Sequence, residues 1–387
     1  MGLLFGKRAL DLSKIEQWAE RVGYGNGASP AGSATALRHS GVWAALRLRA
    51  NLISTLPVDV FTKTGPVGAE IQKPATKTRL FTRPADGMLW HEWLYATQMD
   101  LDRFGNCFGH IAAREGGWPA QVELWSAADV TVVTKGGLIT GYRHGGEVFA
   151  PVDVWHERQY VAAGIPVGLS PVAYAAWSIG GYLSAQQFAL DWFTNGAHPA
   201  GTLRHTEEAN LDPKVLSTAK ARFKVATQNG DIFATGKEWE YTPGSIDANT
   251  AQFIEQQRWG VNDVARWFDV PSDSIDGSVS GQSVTYANVS QRQLNLLVNH
   301  LAPAITRREL SLSANALPAP RFVKLNSDAL LRLDPTARTE LLAKQIDAWM
   351  LTPDEGRALA DRPPLTPEQI ALLVARDRKL PTQEVPK

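Results

Sequence analysis

Apolar residues recur at helical spacing where the folded part of this chain begins. They lie three or four positions apart over 40–56, and Pro57 ends the run. The same spacing marks three later segments, which are 89–104, 250–268 and 286–312. We predict a helix in each segment, and Pro303 should kink or break the last helix near 301–302.

The stretch from 121 to 161 has the composition of β-strands. β-branched and aromatic residues cluster there in three runs, which are 130–133, 138–144 and 154–161. Gly-Gly pairs between the runs indicate tight turns. Shorter strands are predicted at 58–61 and 106–112.

Several helices predicted in the second half begin with a capping residue followed by proline. The cap oxygen satisfies free backbone N–H groups, and proline at the first helical position loses no hydrogen bond. These pairs are Ser170-Pro171, Asp212-Pro213, Asp334-Pro335, Thr352-Pro353 and Thr366-Pro367. They predict helices over 171–194, 213–227, 335–349, 353–361 and 367–377. Together with the strands, these helices indicate an α+β fold.

Two segments carry almost no large apolar residues. Residues 23–36 are rich in glycine, serine and alanine, which predicts a mobile linker between an N-terminal arm and the body. Residues 272–283 (SDSIDGSVSGQS) lie between two predicted helices and cannot bury themselves. We expect the second segment to be a mobile or functional loop.

Composition and charge narrow the range of functions. The chain has 387 residues, enough for two or three domains, with 39 basic and 39 acidic residues. A protein that holds DNA statically usually carries a basic excess, so neutrality argues against a repressor but allows a channel through which DNA slides. The single cysteine, Cys107, excludes a disulfide within the chain. Gln186 and Gln187 interrupt the most apolar stretch, 172–190, so we expect no membrane span.

No sequence motif supports an enzyme. GLSP at 168–171 lacks the second glycine of a nucleophile elbow, and GPVGAE at 65–70 lacks the Gly-Lys-Ser/Thr of a phosphate loop. The eight histidines show no metal-ligand spacing, and Asp100 and Asp102 should not share a face of their helix. We therefore expect no enzyme activity, no catalytic residue, no cofactor and no metal site.

Aromatic, histidine and arginine residues are expected to have structural roles. Most of the 13 tryptophans fall at predicted core or subunit-interface positions, such as Trp43, Trp177, Trp192, Trp259 and Trp267. His156, at a strand end, should be a hydrogen-bonded histidine in the core or at an interface. Arg307 and Arg308 could meet DNA or a partner, but a solvated helix face is the favoured interpretation.

Eight segments carry recognisable motifs in a fixed order. The first four are GVWAALRLRANLISTLPVDVF (41–61), RFGNCFGHI (103–111), VELWSAADVTVV (122–133) and the strand-His and Gly-Leu-Ser-Pro junction (154–179). The other four are 191–203, 264–277, 285–305 and 352–365. In this order they resemble the portal, or head-to-tail connector, proteins of long-tailed bacteriophages, over about residues 40–365. Cys107 and Phe108 depart from the alanine and tyrosine that this family often has.

The resemblance implies a ring, a dodecamer in this family, at one capsid vertex. Each subunit would have a mixed α/β wing, a helical stem, a small clip, and a loop and helix that line the tunnel. The corresponding ranges are 1–38 for a mobile N-terminal arm, 39–170 for the wing, 171–270 for the stem and clip, 271–285 for the tunnel loop, 286–330 for the tunnel or wing helix and return strand, and 331–387 for a small helical crown and tail. Closing the ring requires one face of a subunit to fit a different face of the next.

The tunnel loop would meet DNA through small polar groups. Weak, sequence-blind contacts are expected from Ser278, Ser280, Gln282 and Ser283, whereas Asp273 and Asp276 would repel phosphate. The resemblance also implies partners, which are further copies of the chain, double-stranded DNA, the major capsid protein, the terminase large subunit and the head-tail adaptor. The expected location is the portal vertex of the virion after assembly in the host cytoplasm, with a role in genome packaging and ejection.

Two other functions remain open at this point. One is another ring-forming head-tail connector or a tail structural protein, which a ring too narrow for duplex DNA would favour. The other is a hydrolase that uses tryptophans as a binding cleft, which turnover abolished by one carboxylate substitution would favour.

Overall fold

The computed structural model describes most of the chain, in two compact units. The described residues are 8–11, 33–65, 71–194, 201–205, 212–229, 239–243, 260–275, 286–330, 335–360 and 362–377. The units are Met1–Ser327 and Asp328–Lys387.

Antiparallel strands build the sheets of the first unit. Within the described residues they are β1 (Arg8–Asp11), β2 (Val58–Thr64), β3 (Ile71–Pro74), β4 (Asn106–Glu115), β5 (Trp118–Trp125), β6 (Thr131–Lys135), β7 (Leu138–His144), β8 (Glu147–Phe149), β9 (Val154–Arg158), β10 (Gly201–His205), β11 (Trp239–Pro243) and β12 (Arg321–Leu325). They pair in the orders β1-β6-β7-β8, β5-β4-β9, β12-β2-β3 and β10-β11. The β6–β7 hairpin turns at Gly136 and Gly137, whose φ angles of 61° and 83° suit glycine. The strands predicted within 121–161 are confirmed, and they are divided between two sheets.

Helices follow the capping and proline signals closely. In the first unit they are α1 (Ser33–Ala36), α2 (Ser40–Ser54), α3 (Trp90–Phe104), α4 (Pro171–Tyr174), α5 (Ala176–Thr194), α6 (Pro213–Asn229), α7 (260–267), α8 (Tyr286–Asn295) and α9 (Ala302–Ala316). The helix predicted over 171–194 is thus two helices, and Ser170 caps the first by accepting the N–H of Ala173 at 3.1 Å. Of the helix predicted over 250–268, residues 250–259 lie outside the described part of the chain.

Among the described residues, two of the hydrophobic clusters of the first unit lie near the segments discussed below. One joins α2, α4, α5 and α7 through fully buried side chains such as Leu46, Ile179 and Phe268. The other lies among the strands around Phe108 and Val132. The apolar positions of α2 fall on one face because they recur at helical spacing, so this helix can contribute a whole face to the first cluster.

The sheet formed by β12, β2 and β3 closes the first unit across a long stretch of sequence. Val323 of β12 pairs with Val60 of β2. Glu309 on α9 binds the same strand, because its carboxylate accepts the N–H of Leu325 at 2.8 Å and lies 3.0 Å from Nζ of Lys324. These contacts fix α9 against β12.

The second unit is helical in its described residues. Its helices are α10 (Pro335–Asp347), α11 (Pro353–Leu359) and α12 (Pro367–Asp377). At the start of α11, Thr352 and Glu355 form a reciprocal capping box, with hydrogen bonds of 3.2 and 2.8 Å. Within the part of the chain that the structure describes, no helix has the length and apolarity needed to cross a membrane.

The structure corrects the predicted N-terminal linker. Residues 33–36 form α1, and Ala36 is fully buried in the first cluster, so the linker prediction for 23–36 was wrong at its C-terminal end. Residues 8–11, inside the segment predicted as an arm, pair with β6 as its edge strand.

The predictions for tryptophan and arginine side chains have different outcomes. Trp43 and Trp267 are 40% and 37% exposed, so of the two predicted positions, core or subunit interface, only the interface remains for them. Trp177 is half-buried, and the side chains of Trp192 and Trp259 lie outside the described part. Arg308 is buried, at 3.4 Å from Glu157, rather than on a solvated face. Arg307 is exposed, with its guanidinium 5.7 Å from the centre of the Tyr160 ring.

Candidate functional site

The predicted tunnel loop begins as a short ordered turn. Residues Ser272–Ser274 form a 3₁₀ turn, and Asp273 lies 3.5 Å from Nε of Arg292 on α8. The charge of Asp273 is therefore partly compensated by a cation, which weakens the repulsion of phosphate expected from it. The other candidate residues, Asp276, Ser278, Ser280, Gln282 and Ser283, lie outside the described residues.

The chain enters this loop through an unusual helix end. After α7, Asp269 has a φ of 52°, and the N–H of Val270 donates to the carbonyl of Ala265 at 3.0 Å. This is the hydrogen bond of a Schellman cap, where glycine usually takes the left-handed position. An aspartate in that conformation costs about 1–3 kcal/mol, so its surroundings must hold it there.

The chain leaves the loop through a helix interrupted by a π turn. Residues Leu296–Leu301 join α8 to α9, and the N–H of Ala302 donates to the carbonyl of Leu297. Pro303 has no N–H, so a regular helix would leave a carbonyl of the preceding turn without its partner. The kink or break predicted near 301–302 takes the form of this π turn, through which the chain remains helical.

One buried arginine binds the two segments that flank the loop. Arg49 of α2 is 1% exposed, and its Nη1 donates to the carbonyls of Asp269 at 3.2 Å and His300 at 3.4 Å. The Asp269 carboxylate also lies 2.8 Å from Nδ1 of His300. The entry and exit of the loop are therefore joined to each other and to α2.

A carboxylate on α3 balances the charge of this arginine. Asp102, 1% exposed, lies 3.2 Å from Nε of Arg49 and accepts further hydrogen bonds from Gln98 and Gln159, each at 3.0 Å. Burial is the largest single effect and would lower the pKa of Arg49, but the charge and hydrogen bond of Asp102, together with the charge of Asp269 and the effect of Tyr160, outweigh burial, and the pKa is raised. Arg49 therefore stays charged. We call Arg49, Asp102, Asp269 and His300 the loop anchor.

A second buried centre joins two of the sequence motifs. Asn106, from the Gly-Asn motif, donates to the carbonyl of Gly168 at 2.9 Å and accepts the N–H of Gly168 at 2.8 Å. The Gly-Asn and Gly-Leu-Ser-Pro motifs thus meet in space. A Cβ added at Gly168 would lie only 2.0 Å from the carbonyl oxygen of Gly105, and one added at Gly105 only 2.1 Å from the carbonyl oxygen of Leu169, which explains why both positions are glycine.

His156 lies beside this centre and confirms the structural role predicted for it. Its ring contacts the Tyr142 hydroxyl at 2.9 Å and the Asn106 side-chain oxygen at 3.1 Å. Burial, reinforced by the charge of Arg158, lowers the pKa of His156 to about 3. The ring is therefore neutral at physiological pH.

We predict that His156 makes stability fall in mild acid. The unfolded chain binds a proton at the ordinary histidine pKa of about 6.5, whereas the folded ring does not until about pH 3. The neutral His156 ring therefore makes its full contribution to the free energy of unfolding above about pH 6.5. That contribution falls by about 1.4 kcal/mol for each pH unit below this value. Between pH 6 and 4, wild type should lose more stability than His156→Gln, as measured by urea unfolding. Parallel pH profiles would contradict this assignment, since other groups titrate equally in both proteins.

Acidic and basic side chains at several described positions have structural partners. No group of three or more His, Cys, Asp or Glu side chains in this part of the chain could hold a metal ion. Asp100 and Asp102 serve different partners, as predicted, since Asp100 accepts the N–H of Ala127 at 3.3 Å. Burial raises the pKa of Asp100 to about 6, against the opposing effect of that hydrogen bond. Arg158 lines a cleft beside β7. Its guanidinium donates to the backbone carbonyl of Pro166 at 2.9 Å, so this cation already has a partner within the protein.

Solved structures define the class of fold. The HK97-family phage portal protein of Corynebacterium diphtheriae superimposes with a TM-score of 0.62 and 18% identity, covering 80% of this chain and 100% of that one. The neck of a gene transfer agent particle, computed with C12 symmetry, matches with a TM-score of 0.53 and 19% identity, over 90% of this chain and 99% of that one. The predicted α+β portal fold is confirmed.

Sequence comparisons establish the family. The family model described as phage portal protein matches residues 40–361. The probable portal protein of Streptomyces phage phiC31 is 28% identical over 353 residues, covering 85% of this chain and 76% of its own length. The portal protein of Enterobacteria phage HK97 is 25% identical over 356 residues, covering 88% and 82%. This chain belongs to the phage portal protein family, and the predicted resemblance to tailed-phage portals is confirmed.

Proposed function

We propose that this chain forms a ring, a dodecamer, at one capsid vertex and that DNA enters and leaves through its bore. The observation that carries the proposal is the family match over residues 40–361. The likeness to a particle neck computed with C12 symmetry supports twelve copies. In this proposal the chain is a structural component of the virion, assembled in the host cytoplasm, and it has no enzyme activity.

The loop anchor supports a role for residues 276–285 inside the bore. Arg49 holds the backbone at Asp269 and His300, so described residues on both sides of the loop are fixed to α2. Small polar groups such as Ser278, Ser280 and Gln282 would touch DNA without gripping it, since strong phosphate contacts would act as a brake on sliding. The near-zero net charge of the whole chain agrees with this role.

The remaining assignments follow from the same proposal. Residues 39–170 form the wing, 171–270 the stem and clip, 271–285 the tunnel loop, 286–330 the tunnel helix and return strand, and 331–387 the crown and tail. Docking partners are the major capsid protein, the terminase large subunit and the head-tail adaptor. The proposal includes no association of the chain with a membrane.

Deleting residues 277–283 tests whether the loop contacts DNA in the bore of the ring. The shortened subunits should still form rings in negative-stain images, because the loop anchor lies outside the deletion. The yield of DNA-filled particles should fall, because the duplex loses its contact with the loop. A control that replaces 277–283 by seven glycine and serine residues should package normally, since the proposed contacts are sequence-blind. Normal packaging and genome retention in the deletion would exclude the proposed role of the loop.

A further inference from the structure

We infer that an uncharged stripe on the helix after the loop binds the next copy of this chain in the ring. The inference rests on the proposed ring and assigns it a surface. The stripe runs along α8, the π turn and α9, and its residues are Leu294, Val298, Ala302, Thr306 and Leu310.

The apolar members of the stripe are unusually open to solvent. Leu294, Val298 and Leu310 are 50%, 55% and 66% exposed. Thr306 between them is exposed and Ala302 is half-buried. Single exposed leucines are common on protein surfaces, but a row of them along one helix is typical of an interaction surface.

The spacing places these residues on one side of the helix. They recur every four positions, and such a series drifts by about 40° per step around an α-helix. The π turn at Leu296–Leu301 has hydrogen bonds from residue i to i+5, so it winds more slowly and offsets part of the drift. The π turn therefore helps to keep the stripe continuous.

The charges of this helix are engaged elsewhere. Arg292 pairs with Asp273, Arg308 and Glu309 are buried, and Arg307 lies over Tyr160. A solvated helix looks different, as α6 does, where Lys214, Lys220 and Arg222 are exposed. Arg307 is exposed beside the stripe, but none of the five stripe residues is charged.

The uncharged stripe is suited to bind a protein rather than DNA. DNA binding would need cations along the stripe, and there are none in it. A ring is closed by heterologous contacts, in which one face of a subunit packs on a different face of the next. A second copy of this chain is therefore the occupant, and its contact buries the stripe.

Replacing Val298 or Leu310 by aspartate tests this assignment in the full-length protein. Either carboxylate would be buried without a partner at the interface, so the protein concentration needed for ring formation should rise about tenfold or more. Mass photometry measures the ring fraction, and circular dichroism verifies the fold. Leu138→Asp is the matched control, because Leu138 is 73% exposed on the β6–β7 hairpin and should leave assembly unchanged.

The outcomes separate this inference from the proposed ring. If wild type and both variants form rings at the same protein concentration, the stripe is not the subunit interface. The proposed ring is then still supported. The same holds if a variant melts at a lower temperature while its rings persist, because the chain itself then covers the stripe. If wild type remains monomeric under all assembly conditions, the proposed ring fails and the inference fails with it.

Discussion

Replacing Arg49 by methionine should lower the free energy of unfolding by about 3–5 kcal/mol, the usual cost of removing one partner from a buried ion pair. Asp102 would remain 1% exposed with no cation beside it. The carbonyls of Asp269 and His300 would also lose their common donor. Urea unfolding followed by circular dichroism, at a concentration where the subunit is monomeric, gives the free energy.

Two further variants show whether the loss comes from the uncompensated charge. Combining Arg49→Met with Asp102→Leu should recover much of the stability, because no buried charge is then left alone. Lys77→Met removes one partner of an exposed pair, Lys77 with Asp59 at 3.3 Å, and should cost less than about 1 kcal/mol. A loss below 1 kcal/mol in Arg49→Met itself would show that the anchor contributes little.

We also expect a local change in backbone protection in Arg49→Met. Amide hydrogen exchange should quicken at 268–270 and 299–302, since both backbone segments are held by the Arg49 guanidinium. Exchange in β4 and β5, which lack contact with Arg49, should change only with global stability. The residues on both sides of the loop would then lose their attachment to α2 without any change in the loop sequence.

Gly168→Ala should strongly destabilise the protein, because the added methyl group would collide with backbone. Its Cβ would lie 2.0 Å from the Gly105 carbonyl oxygen and 2.3 Å from that of Gln159. Both neighbours are backbone atoms, so no side chain can rotate away, and two segments must separate. Overpacking a core usually costs about 1–3 kcal/mol, and this collision should reach or exceed the upper end of that range. Loss of soluble protein or a much lower melting temperature is the expected result.

Gly181→Ala is the matched control. It adds the same methyl group to an exposed position in α5 where nothing lies within 4 Å. Because alanine favours a helix interior over glycine by about 0.5–1 kcal/mol, this variant should be slightly more stable than wild type. Equal melting temperatures for Gly168→Ala and wild type would mean that the two motifs can separate without cost.

Local signals in the sequence predicted most of the elements. Each predicted helix that begins with a cap and a proline starts where expected, because the cap oxygen and the fixed φ of proline act within one turn. Gly-Gly pairs located the β6–β7–β8 hairpins for the same reason. Pro303 located the irregular π turn in the last long helix through its missing N–H.

Contacts between distant residues could not be predicted in this way. Arg49 stands on the apolar face of α2, which signals a buried charge, but nothing local identifies Asp102, Asp269 and His300 as its partners. Arg308 was assigned to a solvated face because its buried partner Glu157 is far away in sequence. The exposure of Trp43 and Trp267 likewise depends on how elements pack, which helical spacing does not specify.

The closure of the first unit has a consequence for how the protein is made. Strand β2 ends at Thr64, and its partner β12 begins only at Arg321. At about 5–20 residues per second, a ribosome needs roughly 13–50 s to synthesise the chain between them. Until then one edge of β2 has no partner, and unpaired edges promote aggregation. Nascent subunits should therefore depend on chaperones until synthesis has passed Leu325.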